Sequence, residues 1–508
     1  MRILFIDPLG DKESSGLNLG IAYCATSAAG KGHTASVLDL VNIRKADQGL
    51  AIKTAVKSFN PDCIGISVTN MSFNNSKSYT DGLKEYFKGS IILGGPEVSA
   101  LAGRALELMP NADMAVIGEG EITLVELLDA MERGSSLGPI NGLAWRDGSK
   151  VTVNPAREFI NDVDGLPLPD YNIFGVDKMD TYPIITARGC PYGCIFCFSH
   201  MGKKWRARSP ENIIEEIRVA RDRYGAKSFH VCDASFNVDI ERVKEFCALL
   251  IKEKLDIPWV IQGFRADRVT EEMIRMLDRA NCRRIWVGIE TLDEDIFKNI
   301  RKGETIQDIK RGIALMKKYN IEIYGYMLMG LPGDTFKKTL SSFNKARKLN
   351  LHLLAYSSCV PFTGTGMEKW TRANAVILKD SYNISSIGSR YDGIAFETKD
   401  FTREERMKAR RLLNIKSGSY DEPSTNLLIF KFKKWLFTLR YDPLGLWERL
   451  KQSVAYRRQS INQKRGIYFR RLPDGTWGTG KGEVCAAPPR KRLYLDLKRL
   501  TISEVDAQ

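Results

Sequence analysis

The feature that narrows the fold most is a recurrence: short apolar runs suited to buried strands alternate with stretches long enough for helices, first over residues 1–130 and again from Pro183 onward. In the first stretch the runs fall at residues 3–6, 35–38, 63–68, 91–93 and 114–117. Such alternation predicts a doubly wound, mostly parallel sheet with a ligand crevice beyond its strand ends. The second stretch keeps a period of about thirty residues, one strand plus one helix, with strands expected at 183–186, 228–232, 259–263, 285–289, 323–328 and 353–360. Six such units make most of a barrel whose post-strand loops share one mouth. Ser209 is the expected N-cap of the first barrel helix and Pro210 its first residue, with Ile213, Ile217 and Ala220 on one face. Between 154 and 182 the pattern lapses, and GLPLPD at 165–170 reads as linker. The expected fold is therefore α/β: a Rossmann-like domain (1–150), a linker (151–182), a partial (β/α)6 barrel (183–380) and a C-terminal region (381–508) whose fold the pattern does not give.

At 508 residues, 43% of them apolar and 27% charged, the chain has the composition of an ordinary multidomain globular protein, not a disordered one. The apolar run before Asp7 is too short for a secretory signal, and no uncharged apolar run reaches membrane-spanning length. Ten cysteines in such a chain point to a reducing, cytoplasmic setting in which clustered thiols hold metal. The charge is uneven. From Phe401 onward there are 24 Lys and Arg against 11 Asp and Glu, a surplus of 13 out of the whole chain's +15. Any anionic partner thus belongs to the C-terminal region. Within it, residues 426–441 put Leu428, Phe432, Trp435, Leu436 and Leu439 on one helical face beside Lys431, Lys433, Lys434 and Arg440. That face suits packing on the barrel, or peripheral contact with a membrane surface. Nucleic acid is disfavoured, since no recognisable binding module accompanies the charge.

Cys190, Cys194 and Cys197 lie within eight residues, in RGCPYGCIFC, directly after the first strand of the second alternation. Three thiolates can hold three corners of a four-iron cluster and leave one iron open. An open iron can bind a substrate that brings its own nitrogen and oxygen ligands, and the amino and carboxylate groups of S-adenosylmethionine (SAM) meet that need. A zinc site completed by His200, or three structural thiols, are the competing readings.

The Cys-x3-Cys-x2-Cys spacing, with the aromatic Phe196 before the last cysteine, resembles the signature of radical SAM enzymes. The resemblance extends over 183–366 through DASF (233–236), RAD (265–267), GIET (288–291), RKGET (301–305) and GLPGDT (330–335). It implies a [4Fe–4S] cluster on Cys190, Cys194 and Cys197 that cleaves SAM reductively, fed by a low-potential donor such as flavodoxin or ferredoxin. On chemical grounds, Asp233 and Glu290 can accept hydrogen bonds from the SAM amine or ribose, Arg265 can pair with its carboxylate, and Gly330 can let backbone approach the adenine. A structural salt-bridge network at the barrel mouth is the alternative for the same residues.

The first domain carries Ser67 and Thr69 in a post-strand stretch, Gly94 and Gly95 in GGPE, and Gly118, Glu119 and Gly120 in GEGE. All border one crevice, and together they resemble the cobalamin-binding domain of cobalamin-dependent radical SAM enzymes. Glycines there admit a bulky, flat ring system, and the two hydroxyls add hydrogen bonds. His33 is the only histidine of the domain, and the GHTAS around it lacks the Asp-x-His-x-x-Gly pattern, so cobalt is expected without a histidine on its lower face. The function this implies is methyl transfer to an unactivated carbon of a small-molecule or peptide substrate. Cobalamin-assisted cyclisation, oxidation or rearrangement is the alternative. A non-catalytic cobalamin sensor or carrier would predict a broken cysteine motif, and here it is intact. A methylthiotransferase would need a second cysteine triad in the first domain, where only Cys24 and Cys63 occur.

Overall fold

The computed structural model describes residues 1–8, 17–41, 43–383 and 394–417, together with five short strands between 469 and 506. Residues Met1–Glu422 form one compact unit and Pro423–Gln508 another.

The first sheet of the larger unit contains β1 (Arg2–Asp7), β2 (Thr34–Asp39), β3 (Cys63–Ser67), β4 (Ser90–Gly94), β5 (Met114–Val116), β6 (Leu143–Asp147) and β7 (Lys150–Val153), in the order β2-β1-β3-β4-β5-β6-β7. The first five run parallel. Alternate residues pack on opposite faces: Leu4, Ile6, Ile64 and Ile66 enter one hydrophobic layer, while Ile3, Phe5, Cys63 and Ile92 enter the other. Because the strand order reverses between β1 and β3, their connections leave to opposite faces and a crevice opens beyond their carboxyl ends. The antiparallel pair β6–β7 was not expected. It is a hairpin of five- and four-residue strands around Gly148 (φ +61°), whose LAWRD and KVTV mix apolar with polar residues and carry no continuous apolar run.

The second sheet begins with β8 (Thr181–Ile184), after which β9 (Ala187–Arg188) and β10 (Arg206–Ala207) form a small antiparallel hairpin. It continues through β11 (Ser228–Val231), β12 (Trp259–Phe264), β13 (Cys282–Glu290), β14 (Glu322–Met329) and β15 (Leu353–Ser358), six parallel strands in sequence order. The helix Pro210–Tyr224 starts as its sequence predicts: the Ser209 side chain accepts from Asn212 N (3.2 Å), Pro210 opens the first turn, and Gly225 ends it in the left-handed region. Ile213, Ile217 and Ala220 are buried against the barrel. Trp259 stacks on Phe229 at 5.2 Å in the centre of that core, and its indole N–H donates to Ala280 O at 2.8 Å.

Packing on the barrel continues past residue 380. Beyond β16 (Val376–Ile377) and β17 (Phe396–Glu397), the helix Arg403–Ser417 sends Ala409 and Leu413 into the barrel core, and Tyr356 Oη of β15 donates to Arg410 O at 2.8 Å. The smaller unit contains the three-stranded antiparallel sheet β18 (Phe469–Arg471), β19 (Trp477–Thr479), β20 (Val484–Cys485) and the hairpin β21 (Lys491–Asp496), β22 (Thr501–Asp506). The amphipathic stretch 426–441 lies outside the described residues. Among the described residues no helix is long and apolar enough to cross a membrane.

Candidate active site

The three cysteines sit on the loop between β9 and β10. Gly189 turns the chain at φ +80°, where a Cβ would lie 2.2 Å from the Lys204 carbonyl oxygen, so only glycine fits. Cys190 N donates to Gly202 O (3.1 Å), Cys197 N to Cys194 O (3.3 Å), and Ile195 N to Ile300 O (3.1 Å), while Ile195 O accepts from Met367 N (2.8 Å). The loop is thereby pinned to the barrel mouth on both sides of Ile195. Phe196 packs, half-buried, against the barrel core. All three thiols are free; Cys190 and Cys194 are half-buried and Cys197 is exposed. Burial pushes the Cys194 thiol up to about 11 and raises that of Cys197, a preference that iron ligation reverses because only thiolate binds metal. Among the described residues the only three potential ligands with atoms mutually within 4.8 Å are His33, Asp129 and Glu132. The cysteine sulfurs and His200 therefore do not gather at the spacing of about 4 Å that a tetrahedral zinc site requires. Three unpaired soft donors on a pinned, partly open loop fit a cluster with one free corner.

Around the mouth, the strand-end residues expected to meet SAM have structural partners of their own. Asp233 lies beneath the cysteine loop, accepting from Thr186 N (2.6 Å), Ala187 N (3.2 Å) and the Thr186 hydroxyl; burial raises its carboxyl to about 6. Arg265 is likewise committed: it donates to both Asp267 oxygens (2.9 and 3.0 Å) and to the carbonyls of Lys302 (2.9 Å) and Gly303 (3.3 Å). Its guanidinium lies 3.6 Å from the ring centre of Tyr192, inside the cysteine loop. With these donors Arg265 supports that loop. Glu290 ends β13 at φ +59°, unusual for a residue with a side chain, and pairs with Lys302 Nζ at 3.3 Å, which also holds Glu304 at 2.8 Å. At Gly330 (φ +88°) the position of a missing Cβ is approached by the Arg406 guanidinium, and Gly330 N donates to Asp334 Oδ2 at 2.8 Å.

The first-domain motifs do converge. Ser67, Thr69, Gly94, Gly95, Gly118, Glu119 and Gly120 all line one cavity of about 370 Å³, within the usual range of small-molecule sites. Its opposite wall belongs to the barrel: Ile185, Arg188, His200, Met201 and Cys232. A Cβ added at Gly94 or Gly118 meets nothing within 4 Å, so those glycines leave open space, whereas at Gly95 it would lie 2.7 Å from Val68 O. The Ser67 hydroxyl accepts from Asn18 Nδ2 (3.1 Å), and Asn18 also caps the helix Leu19–Ala29. The glycine-bounded space fits a flat, bulky ring such as a corrin. Glu119 is the exception among the expected contacts. It lines the cavity, and its carboxylate binds Arg188 (3.0 Å) and Arg206 (2.8 Å) and accepts from Ile160 N (2.8 Å). Sequence reasoning missed Arg188, His200 and Met201 as cavity residues, although their closeness to the cysteine motif was the signal available.

The B12 binding domain family model matches residues 11–128, and the radical SAM superfamily model matches 184–346. The chain belongs to the cobalamin-dependent radical SAM enzymes. Over 434 residues the enzyme is 29% identical to an uncharacterized methyltransferase of Pyrococcus horikoshii, covering 81% of this chain and 91% of the relative. It is 25% identical over 386 residues to an anaerobic magnesium-protoporphyrin IX monomethyl ester cyclase of Rubrivivax gelatinosus, covering 71% and 68%. Its fold is shared with the radical SAM methyltransferase TsrM from Kitasatospora setae, solved with cobalamin and [4Fe–4S] cluster bound (17% identity, TM-score 0.62, covering 73% and 76%). It is shared also with the cobalamin-dependent SAM radical enzyme OxsB, solved with aqua-cobalamin and SAM bound (18% identity, TM-score 0.63, covering 87% and 71%). Enzymes of this superfamily act on small-molecule substrates and need a reductant.

His33 stands just before β2, at the sheet edge opposite the crevice, with Nδ1 3.2 Å from Met1 N and Nε2 3.4 Å from Asp129. His33→Ala is accordingly expected to leave the electron paramagnetic resonance spectrum of enzyme-bound cob(II)alamin unchanged. Loss of a nitrogen splitting in that variant would contradict this.

Proposed function

We propose that the enzyme moves a methyl group from SAM, by way of cobalamin, to an unactivated carbon of a small-molecule substrate. The observation that carries this reading is the single cavity walled on one side by the glycine-rich strand ends and on the other by Arg188, His200 and Met201, which flank or belong to the cysteine loop. When bound, the cluster supplies the electron that cleaves SAM, and cobalamin supplies a methyl carrier. The chain's own part is to hold and exclude. Cys190, Cys194 and Cys197 bind the cluster. Glu290, beside Lys302, and the turn at Gly330 form the SAM-facing rim, and Asp233 and Arg265 brace the loop from below. Ser67, Thr69, Gly94, Gly95, Gly118 and Gly120 bed the corrin and its amide arms. Exposed Cys197 marks the side on which a donor such as flavodoxin or ferredoxin delivers electrons. The methyltransferase name of the relative matched over 91% of its length supports the reading. Radical cyclisation is the second reading, supported by the cyclase relative.

The test uses reconstituted holoenzyme, a chemical reductant and SAM labelled at its methyl group. Label recovered on extracted cobalamin is the expected result. Steady formation of 5′-deoxyadenosine with no label on cobalamin would favour the cyclase reading instead.

A further inference from the structure

Glu119 touches the cavity, the linker and both legs of the cysteine loop. It follows Gly118, whose φ of +84° turns the chain at the end of β5, and all of Gly118, Glu119 and Gly120 border the cavity. From that position its carboxylate, 5% exposed, reaches across to two arginines that are each 2% exposed. Arg188 belongs to β9, two residues before Cys190; Arg206 belongs to β10, where the loop re-enters the hairpin. Arg188 is held a second time by Glu121 at 2.6 Å and lies 4.8 Å from the Tyr23 ring centre. Arg206 also donates to the carbonyl of Met201 (2.7 Å), a residue that lines the cavity.

We infer that Glu119 is a positioning residue: its carboxylate sets the distance and orientation between the corrin bed and the cluster loop, through Arg188 and Arg206. The inference rests on the proposed use of this cavity by cobalamin. Three features favour registration over simple stability. The contacts are charge-assisted hydrogen bonds, which are directional. They sit at both ends of the loop and so fix its tilt as well as its height. They also spring from a residue that itself borders the cavity, and all three side chains are 5% exposed or less, so burial restrains the links that join one side to the other.

The experiment compares reconstituted wild type, Glu119→Gln and Arg206→Lys, each loaded with cobalamin and cluster. Glu119→Gln keeps the shape of the side chain and removes its charge; Arg206→Lys keeps the charge and removes the planar fork. The first readout is the magnetic interaction between cob(II)alamin and the reduced cluster, which reports their separation and needs no turnover. The second is methyl label on cobalamin per 5′-deoxyadenosine formed. Both variants are expected to weaken or broaden the magnetic interaction and to lower the label ratio by about tenfold or more, as misplaced reacting groups do. A purely structural role would lower both products together and leave their ratio and the magnetic interaction as in wild type, which would overturn the inference. So would loss of cobalamin alone from Glu119→Gln, since that would make Glu119 a direct cofactor contact. If Glu119→Gln does not fold, Arg206→Lys decides on the same two readouts. Failure of the proposed methyl transfer is seen separately, as absence of label in wild type, and leaves the magnetic readout in force.

Discussion

Cys194→Ala is expected to abolish cluster absorbance and 5′-deoxyadenosine formation together, by at least about 100-fold, because two thiolates cannot hold a four-iron cluster that presents an open corner. The variant separates cluster loss from misfolding. Ile195, the next residue, keeps its backbone bonds to Ile300 and Met367, and Cys194 is only half-buried, so replacing its thiol by a hydrogen leaves the loop anchored. Cobalamin content should stay near that of wild type, since Cys194 does not line the cavity. Wild-type protein that emerges from anaerobic reconstitution with tightly bound zinc and no iron would sink the assignment.

The second large effect is expected at Gly94. A leucine there should weaken cobalamin binding by about 100-fold or more while shifting thermal stability little, since its Cβ enters open space that the corrin would occupy. The backbone at Gly94 is not in the left-handed region, and a Cβ meets nothing within 4 Å, so the fold tolerates the change. Gly95→Ala is the contrasting case. With φ at +105° and the added carbon 2.7 Å from Val68 O, it should destabilise the β4 turn itself. Cluster formation in Gly94→Leu should persist. Equilibrium dialysis with hydroxocobalamin and a melting curve measure the pair of outcomes, and full-affinity binding by Gly94→Leu would remove the cavity from consideration as the cobalamin site.

The strands of both sheets were legible because buried parallel strands need continuous apolar runs, and residues 63–68 or 323–328 carry little else. The β6–β7 and β9–β10 hairpins were not legible: LAWRD, KVTV, AR and RA mix apolar with polar or charged residues, so no continuous apolar run marks them. Glycine-rich strand ends could be assigned to one crevice because strand ends in such a sheet share an edge. Charged residues could not be assigned in the same way. Asp233, Arg265 and Glu119 stand at or just beyond strand ends, where ligand contacts are expected, and each also carries hydrogen bonds or ion pairs to the chain itself that the sequence does not announce. Nothing in the sequence says which carboxylate meets which guanidinium across more than sixty residues. Helix Arg403–Ser417 was hidden for a different reason: Arg406 and Arg410 are buried in it, so its charge pattern suggests solvent where the structure has core.

The exposed corner at Cys197 has a practical consequence. The same exposure that would let a reductant approach would admit dioxygen to that sulfur and its iron, in addition to the iron that no cysteine holds. Shielding Cys197 would trade slower oxygen attack at that corner against slower electron entry.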